Sequence, residues 1–190
     1  YNKQKRTFEA LTELIRETAD DIEYLESIGN ALDIALSEAD LAQIKEELML
    51  SGYIRRKHTK KKVKLTSKPM HYISSDGYDM YVGKNNLQNE ELTFSLANGN
   101  DWWFHAKGTP GSHVIVKSGG NELPDQTFEE AGRLAAYYSK NRGADKVEID
   151  YIQKKHVKKP NGAKPGFVVY YTNYSLVIDS DISNIKNVQD

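Results

Sequence analysis

The residues best equipped for chemistry lie together in one stretch, Asp101-Trp102-Trp103-Phe104-His105-Ala106-Lys107-Gly108-Thr109-Pro110-Gly111-Ser112-His113-Val114-Ile115-Val116-Lys117. It holds both tryptophans of the chain and two of its five histidines. Three uses are open to it. Two histidines beside packed tryptophan rings can be satisfied core residues. His105 and His113, with Asp101, can instead act as metal ligands or as an acid–base pair. The third use is binding a nucleic acid or phosphate: Gly108, Gly111 and Ser112 let backbone amides approach an anion, Lys107 and Lys117 add charge, and an exposed ring can stack on a base. The catalytic use has little support. The histidine spacing fits no His-x-x-x-His pair on a helix, no Gly-x-Ser-x-Gly elbow surrounds Ser112, and no further carboxylate–histidine cluster completes a site.

Positioning these groups requires strands. Alternation over 101–106 sends Trp102, Phe104 and Ala106 to one side and Trp103, His105 and Lys107 to the other. One tryptophan is therefore expected in the core, and Trp103, on the histidine side, is the candidate for an accessible ring. Beyond the turn, His113, Ile115 and Lys117 share a side, so a hairpin can bring His105 and His113 onto one face. Thr109-Pro110-Gly111-Ser112 favours a type II turn, which fits a tight hairpin poorly, and the register stays open.

Two basic segments flank this stretch in sequence. Lys154-Lys155-His156-Val157-Lys158-Lys159-Pro160-Asn161-Gly162-Ala163-Lys164 carries five lysines and a histidine, punctuated by proline and glycine. It reads as a loop suited to a sugar–phosphate backbone or as a plain solvated loop. The run Arg55-Arg56-Lys57-His58-Thr59-Lys60-Lys61-Lys62 continues to Lys68 and is expected to be a linker, with a polyanion contact as the alternative. Charge is strongly segregated: five basic against twelve acidic residues over 1–54, eight basic and none acidic over 55–68, thirteen against fifteen thereafter. No Gly-x-x-x-x-Gly-Lys-Ser/Thr phosphate loop occurs.

Around these segments the periodicity outlines a fold. Phe8, Leu11, Leu14, Ile15, Ile22, Leu25 and Ile28 recur at helical spacing over 1–28. This helix has too few neighbours to bury its stripe and is expected to project and pair with another helix. Gly29-Asn30 is expected to end it, with a short helical piece over 31–36. A third helix should run from a Ser37/Asp40 capping box to Met49 and close at Gly52. From Pro69 the period becomes two: strands over 70–74 and 78–82 flank the turn Ser75-Asp76-Gly77. Then come a helix over 85–97, the two central strands, a helix starting at Asp125 or Thr127, and strands over 146–153 and 167–178. The expected fold is α+β: a mostly antiparallel mixed sheet with packed helices, preceded by a helical neck and a projecting coiled-coil arm. The expected division is arm and neck 1–54, basic linker 55–68, α+β domain 69–182 and tail 183–190.

Composition narrows the class. With 190 residues, 38% hydrophobic content and no cysteine, one domain with a core and an appendage is expected, and Cys-type zinc sites and thiol nucleophiles are excluded. No apolar run approaches membrane-spanning length, so no membrane insertion is expected. A chain that starts at Tyr1 already in helical pattern is expected to be a C-terminal piece of a longer protein.

Several motifs together resemble the RNA-binding domain (NFACT-R) of the bacterial NFACT family, the RqcH, FbpA and PavA type of fibronectin-binding proteins. They are Pro69-Met70-His71-Tyr72, Asp76-Gly77-Tyr78-Asp79-Met80-Tyr81-Val82-Gly83-Lys84-Asn85-Asn86-Leu87-Gln88-Asn89, Asp101-Trp102-Trp103-Phe104-His105, Pro110-Gly111-Ser112-His113-Val114-Ile115, and Val147…Lys155-Val157-Lys158-Lys159-Pro160. Residues 1–28 then resemble the returning arm of the family's coiled-coil segment. The resemblance implies a cytoplasmic, ribosome-associated quality control role. The whole protein would bind the large ribosomal subunit carrying stalled peptidyl-tRNA and recruit alanyl-tRNA for C-terminal alanine tailing. It also implies a second role, as an anchorless surface adhesin for host fibronectin. For this chain the expectation is non-enzymatic RNA binding without cofactor or metal. Trp103, His105, Lys107, Gly111, Ser112, His113 and Lys117 would form the contact face, with Lys154, Lys155, Lys158 and Lys159 as its basic flank. A secondary patch would lie at Arg55, Arg56, Lys57, Lys60, Lys61 and Lys62.

Overall fold

The computed structural model describes residues 2–55 and 67–188. All of the secondary basic patch except Arg55 lies outside them.

Helix α1 spans Asn2–Ile34, and every residue from Asn2 to Glu23 is exposed. Its apolar stripe is bare: Phe8, Leu14 and Ile15 are 71%, 58% and 68% exposed. The expected break at Gly29-Asn30 does not occur. A mid-helix glycine costs about 1 kcal/mol, and packing at that point outweighs it. Tyr24, Ile28 and Ala31 bury against Ile44, Ile34 enters the main core, and the Asn30 amide donates to the Tyr138 carbonyl. Two helices, not three, therefore precede the sheet. The second, α2 (Glu38–Leu50), starts at the expected capping box: Ser37 Oγ accepts from the Asp40 N–H, and the Asp40 carboxylate accepts from the Ser37 N–H.

Strands β1 (Met70–Ile73) and β2 (Asp79–Val82) form a hairpin whose turn uses Gly77 at φ 86°, a conformation that side chains disfavour. Helix α3 (Asn86–Glu91) is capped by the Asn85 side chain and widens into a π-helical turn over Leu92–Leu96. Strands β3 (Trp102–Ala106) and β4 (Val114–Val116) come next, followed by α4 (Asp125–Tyr137), β5 (Val147–Gln153), a 3₁₀ turn over Lys154–His156, β6 (Tyr174–Ile178) and β7 (Lys186–Asn187). The last long strand is shorter than its periodicity suggests. Residues 167–173 leave the sheet, keeping only an isolated pairing of Lys158 with Val169. Residues expected to be tail supply β7, which pairs with β1.

The seven strands form one sheet in the order β6-β5-β3-β4-β2-β1-β7, with every pairing antiparallel. The architecture is the expected α+β one. Each face of the sheet has its own core. Phe104, Ala106, Val114 and Val116 meet Ala131, Leu134 and Ala135 of α4 on one face. Trp103, Ile115 and Ile152 meet Leu92, Ala97 and Val157 on the other. Burying each large apolar side chain contributes roughly 1.5–3 kcal/mol, so the central hairpin is held from both sides.

Neck and domain are joined by a buried ion pair. Lys84 Nζ lies 2.6 Å from Asp40 Oδ1, with side chains only 8% and 1% exposed. Asp40 also accepts from Ser67 and from the Leu36 N–H. Burial alone would push this carboxyl up, but the bonds from Lys84, Ser67 and Leu36 outweigh it and hold it at about 2.

Candidate nucleic-acid interface

The register of β3 against β4 sets Trp103 opposite Ile115 and Phe104 opposite Val114. Continued by one step across the 107–113 connection, it places His105 and His113 side by side on the face away from α4. Their rings meet edge to face at 5.5 Å, and Trp103 lies against both, stacked on His105 at 5.6 Å and edge-on to His113 at 5.1 Å. Tyr170 closes the group, 5.0 Å from Trp103. Its hydroxyl donates to Asp150 Oδ2.

Trp102 and Trp103 do divide between the two faces, but Trp103 is not a surface ring. It is 0% exposed, because α3, the π turn and the loop before β6 cover the face that alternation left open. Trp102 is the partly exposed one, packed on Phe128, Tyr151 and Tyr174. Trp103 instead forms the floor of a cleft of about 430 Å³. Its walls include His105, His113, Gly111, Asn86, Asn89, Tyr170, the 162–168 loop, and Tyr24 and Ser27 of α1. The indole Nε1–H has no partner among the described residues, and neither does Ser112 Oγ, which is buried behind the cleft wall.

Both histidines are neutral near pH 7. Burial pushes His105 down to about 4, against a weaker upward pull from the Gly111 backbone and the Asp150 carboxylate. Burial also takes His113 well below the usual imidazole range, and the neighbouring His105 lowers it further. The Thr93 hydroxyl donates to the Asn89 carbonyl at 2.8 Å. It is therefore left to accept from His113 Nδ1–H, also at 2.8 Å, which fixes the His113 tautomer.

The lysines separate into two groups. Lys107 Nζ sits 2.5 Å from Glu148, and Lys117 Nζ is 2.5 Å from the buried Asp101 carboxylate while also donating to the Leu96 carbonyl. Asp101 accepts in addition from the Asn98 and Ser118 N–H groups. It anchors the start of β3 and is not a partner for the histidines. Lys159 is held by both oxygens of Glu90 at 2.7 Å. Lys154 lies 5.5 Å over the Phe94 ring. Lys155 and Lys158 are exposed and have no carboxylate partner among the described residues. The structure thus brings Trp103, His105, Gly111 and His113 to one cleft, with Ser112 behind it, places the 154–159 lysines on the adjoining loop, and engages Lys107 and Lys117 elsewhere. No group of three or more potential metal ligands exists among the described residues.

Sequence reading missed Tyr24, Asn86, Asn89 and Tyr170 as cleft residues, and placed Lys164 only among the cations of the basic loop. Lys164 Nζ lies 4.6 Å over the Tyr24 ring and donates to the Tyr53 hydroxyl and to Asp21. These residues reach the cleft from three distant segments, and only the clustered asparagines of 85–89 offered a local signal.

Comparison with known proteins gives this geometry a context. Residues 68–172 match the family described as NFACT protein RNA binding domain, and residues 1–67 match NFACT N-terminal and middle domains. The chain is 43% identical over 190 residues to a Streptococcus pneumoniae protein named Rqc2 homolog RqcH, covering 100% of this chain and 34% of that one. A Bacillus subtilis protein of the same name is 40% identical over 190 residues, covering 97% and 32%. The chain thus spans about a third of the length of these relatives. Among solved structures it is similar to the C-terminal part of the fibronectin/fibrinogen-binding protein from Streptococcus suis. That similarity has a TM-score of 0.90 at 42% identity and covers 98% of this chain and 75% of the other. By the extent of these matches, this chain belongs to the NFACT family and carries its RNA-binding domain.

Proposed function

We propose that this chain is a non-enzymatic RNA-binding module of a ribosome-associated quality control factor that works in the cytoplasm. The whole protein contacts the large ribosomal subunit with stalled peptidyl-tRNA and supports C-terminal alanine tailing. The observation that carries this reading is the match of residues 68–172 to an RNA-binding domain, in which the exposed Lys155 and Lys158, without a carboxylate partner among the described residues, sit on a loop beside an aromatic cleft. Two neutral histidines and an Asp101 engaged by Lys117 favour binding over acid–base chemistry. We assign 69–188 to the binding domain, because β7 belongs to its sheet, 1–54 to arm and neck, and 55–68 to a basic linker whose Arg55-Arg56-Lys57 and Lys60-Lys61-Lys62 add a second contact. The bare stripe of α1 would pair with another helix of the full protein.

The test is tRNA binding by this chain across a salt series. Each phosphate neutralised contributes about 0.7–0.9 to the log–log salt slope. Lys155→Ala with Lys158→Ala should flatten that slope by about 1.4–1.8. Adding Lys159→Ala should do less, since Glu90 already neutralises that lysine. Binding indifferent to salt and to all three changes refutes the reading.

A second reading, an adhesin module for host fibronectin at the cell surface, draws on one structural observation beyond the relative's name. Strand β6 ends the sheet among the described residues, and its Tyr174 and Val177 side chains are 60% and 61% exposed, an edge open to strand addition. Failure of immobilised fibronectin to retain the chain at physiological salt removes it.

A further inference from the structure

The cleft floored by Trp103 has properties that a phosphate-binding surface does not need. Its volume, about 430 Å³, falls in the roughly 300–1,000 Å³ range of sites that enclose small molecules. Its lining is aromatic and uncharged at the centre: Trp103 and His113 are buried, Tyr170 and His105 are partly open, and both imidazoles are neutral. The rim is asymmetric. Asp20 and Glu23 stand on the α1 side, and the Lys164 ammonium is already held by Asp21 and the Tyr53 hydroxyl. The exposed Lys155 and Lys158 lie along the loop that continues into the Gly162–Val168 wall. An anion entering the cleft would meet carboxylates, whereas one lying along the lysine loop would not.

The floor also carries an unmet demand. Trp103 Nε1–H is buried without an acceptor among the described residues, a situation that costs about 1–3 kcal/mol unless a ligand relieves it. The ligand that fits is flat and uncharged, stacks on rings, carries hydrogen-bond acceptors on its edge, and is tethered to a phosphate that stays outside.

We propose that an unstacked base of the bound RNA inserts into the cleft between the Gly108–Gly111 turn, the 162–168 loop and α1, so that the domain selects single-stranded or bulged RNA over regular duplex. This rests on the RNA-binding reading and adds to it the part of the RNA that is recognised. Bases in duplex are stacked and cannot enter, so the lysine loop alone would engage duplex RNA, through phosphates. Because Tyr24 and Ser27 form one wall, the inserted base also touches the root of the arm.

The experiment uses the full 190-residue chain with Trp102→Phe, leaving Trp103 as the single indole reporter. It is titrated with a single-stranded RNA oligonucleotide and with a fully paired RNA duplex of equal phosphate count. The single strand should quench indole fluorescence and bind about tenfold or more tightly than the duplex, the gain expected for one stacked base. Adenosine and uridine monophosphates should quench at high concentration, while ribose 5-phosphate should not. Ala163→Phe, which fills the cleft from the loop and removes no cation, should abolish the quenching and the preference while keeping duplex binding. The monophosphate comparison needs no cleft variant and decides the matter even if Ala163→Phe does not fold. Equal affinity for both RNAs without quenching, with binding still lost in Lys155→Ala/Lys158→Ala, overturns base insertion and leaves RNA binding standing. Binding to neither RNA overturns both.

Discussion

Acidification should unfold this protein through the histidine pair before it does so through most carboxylates. His105 has its folded-state pKa depressed to about 4 from 6.5, chiefly by burial, and His113 is lowered well below 6.5. An unfolded chain protonates both at the higher, ordinary value, so between pH 6.5 and 4 the unfolded state binds more protons. The stability these groups contribute is therefore complete above 6.5 and falls as pH drops toward 4. For His105 the depression of 2.5 units corresponds to about 3 kcal/mol at 1.36 kcal/mol per unit, and His113 adds to it. That is a large share of a typical total of 5–15 kcal/mol. Asp40, held at about 2, loses its contribution only at lower pH, so the two effects occupy different windows. Urea midpoints measured from pH 7 to 4 should decline, and His105→Gln should remove a large part of the decline. The imidazole Hε1 resonance of His105 should titrate near 4 by NMR. A His105 resonance titrating near 6.5, with midpoints flat from pH 7 to 5, refutes the account of a neutral histidine pair held by burial.

The buried pair joining neck to domain makes a second prediction. Asp40→Asn leaves Lys84 charged and uncompensated and should cost about 3–5 kcal/mol. Adding Lys84→Met should recover more than half of that in the same urea titration, and no recovery would show that capping, not the ion pair, carries the effect. Gly83→Ala should cost about 1–3 kcal/mol by overpacking, because the added Cβ would lie 2.9 Å from the Asn89 backbone nitrogen. Asn89 accepts from the His113 N–H, so the His113 ring resonances should shift as well. A melting temperature unchanged from the parent would contradict that packing.

Much of the fold was legible because its signals are local. The Ser37/Asp40 box and the Gly77 turn each need only four residues of chain, and alternation separates Trp102 from Trp103 whatever their neighbours are. Gly29 shows where local rules fail: a helix breaker by propensity, it stays helical because Tyr24, Ile28, Ala31 and Ile34 gain a packed face around it. The long last strand fails for the converse reason. Its alternation is genuine, but residues 167–173 turn away to cover Trp103, trading a ladder position on the sheet for contacts with the cleft.

The sequence by itself determined the α+β class, the amphipathic arm, the division of Trp102 and Trp103 between the two sheet faces, and the family, since all of these follow from residue type at fixed short spacing, whereas the pairing of His105 with His113 waited on the β3–β4 register. Only the tertiary structure decided which of those groups are available. Exposure and charge depend on what arrives from elsewhere in the chain. Glu148 and Asp101 engage Lys107 and Lys117, and Glu90 engages Lys159. Tyr170 and the 162–168 loop turn an expected surface ring into a floor. Tyr24, 79 residues away from Trp103 in sequence, supplies a wall. Burial and pairing are sums over neighbours that the chain brings together only by folding, and here they turned an expected basic, aromatic surface into a neutral cleft beside a basic loop.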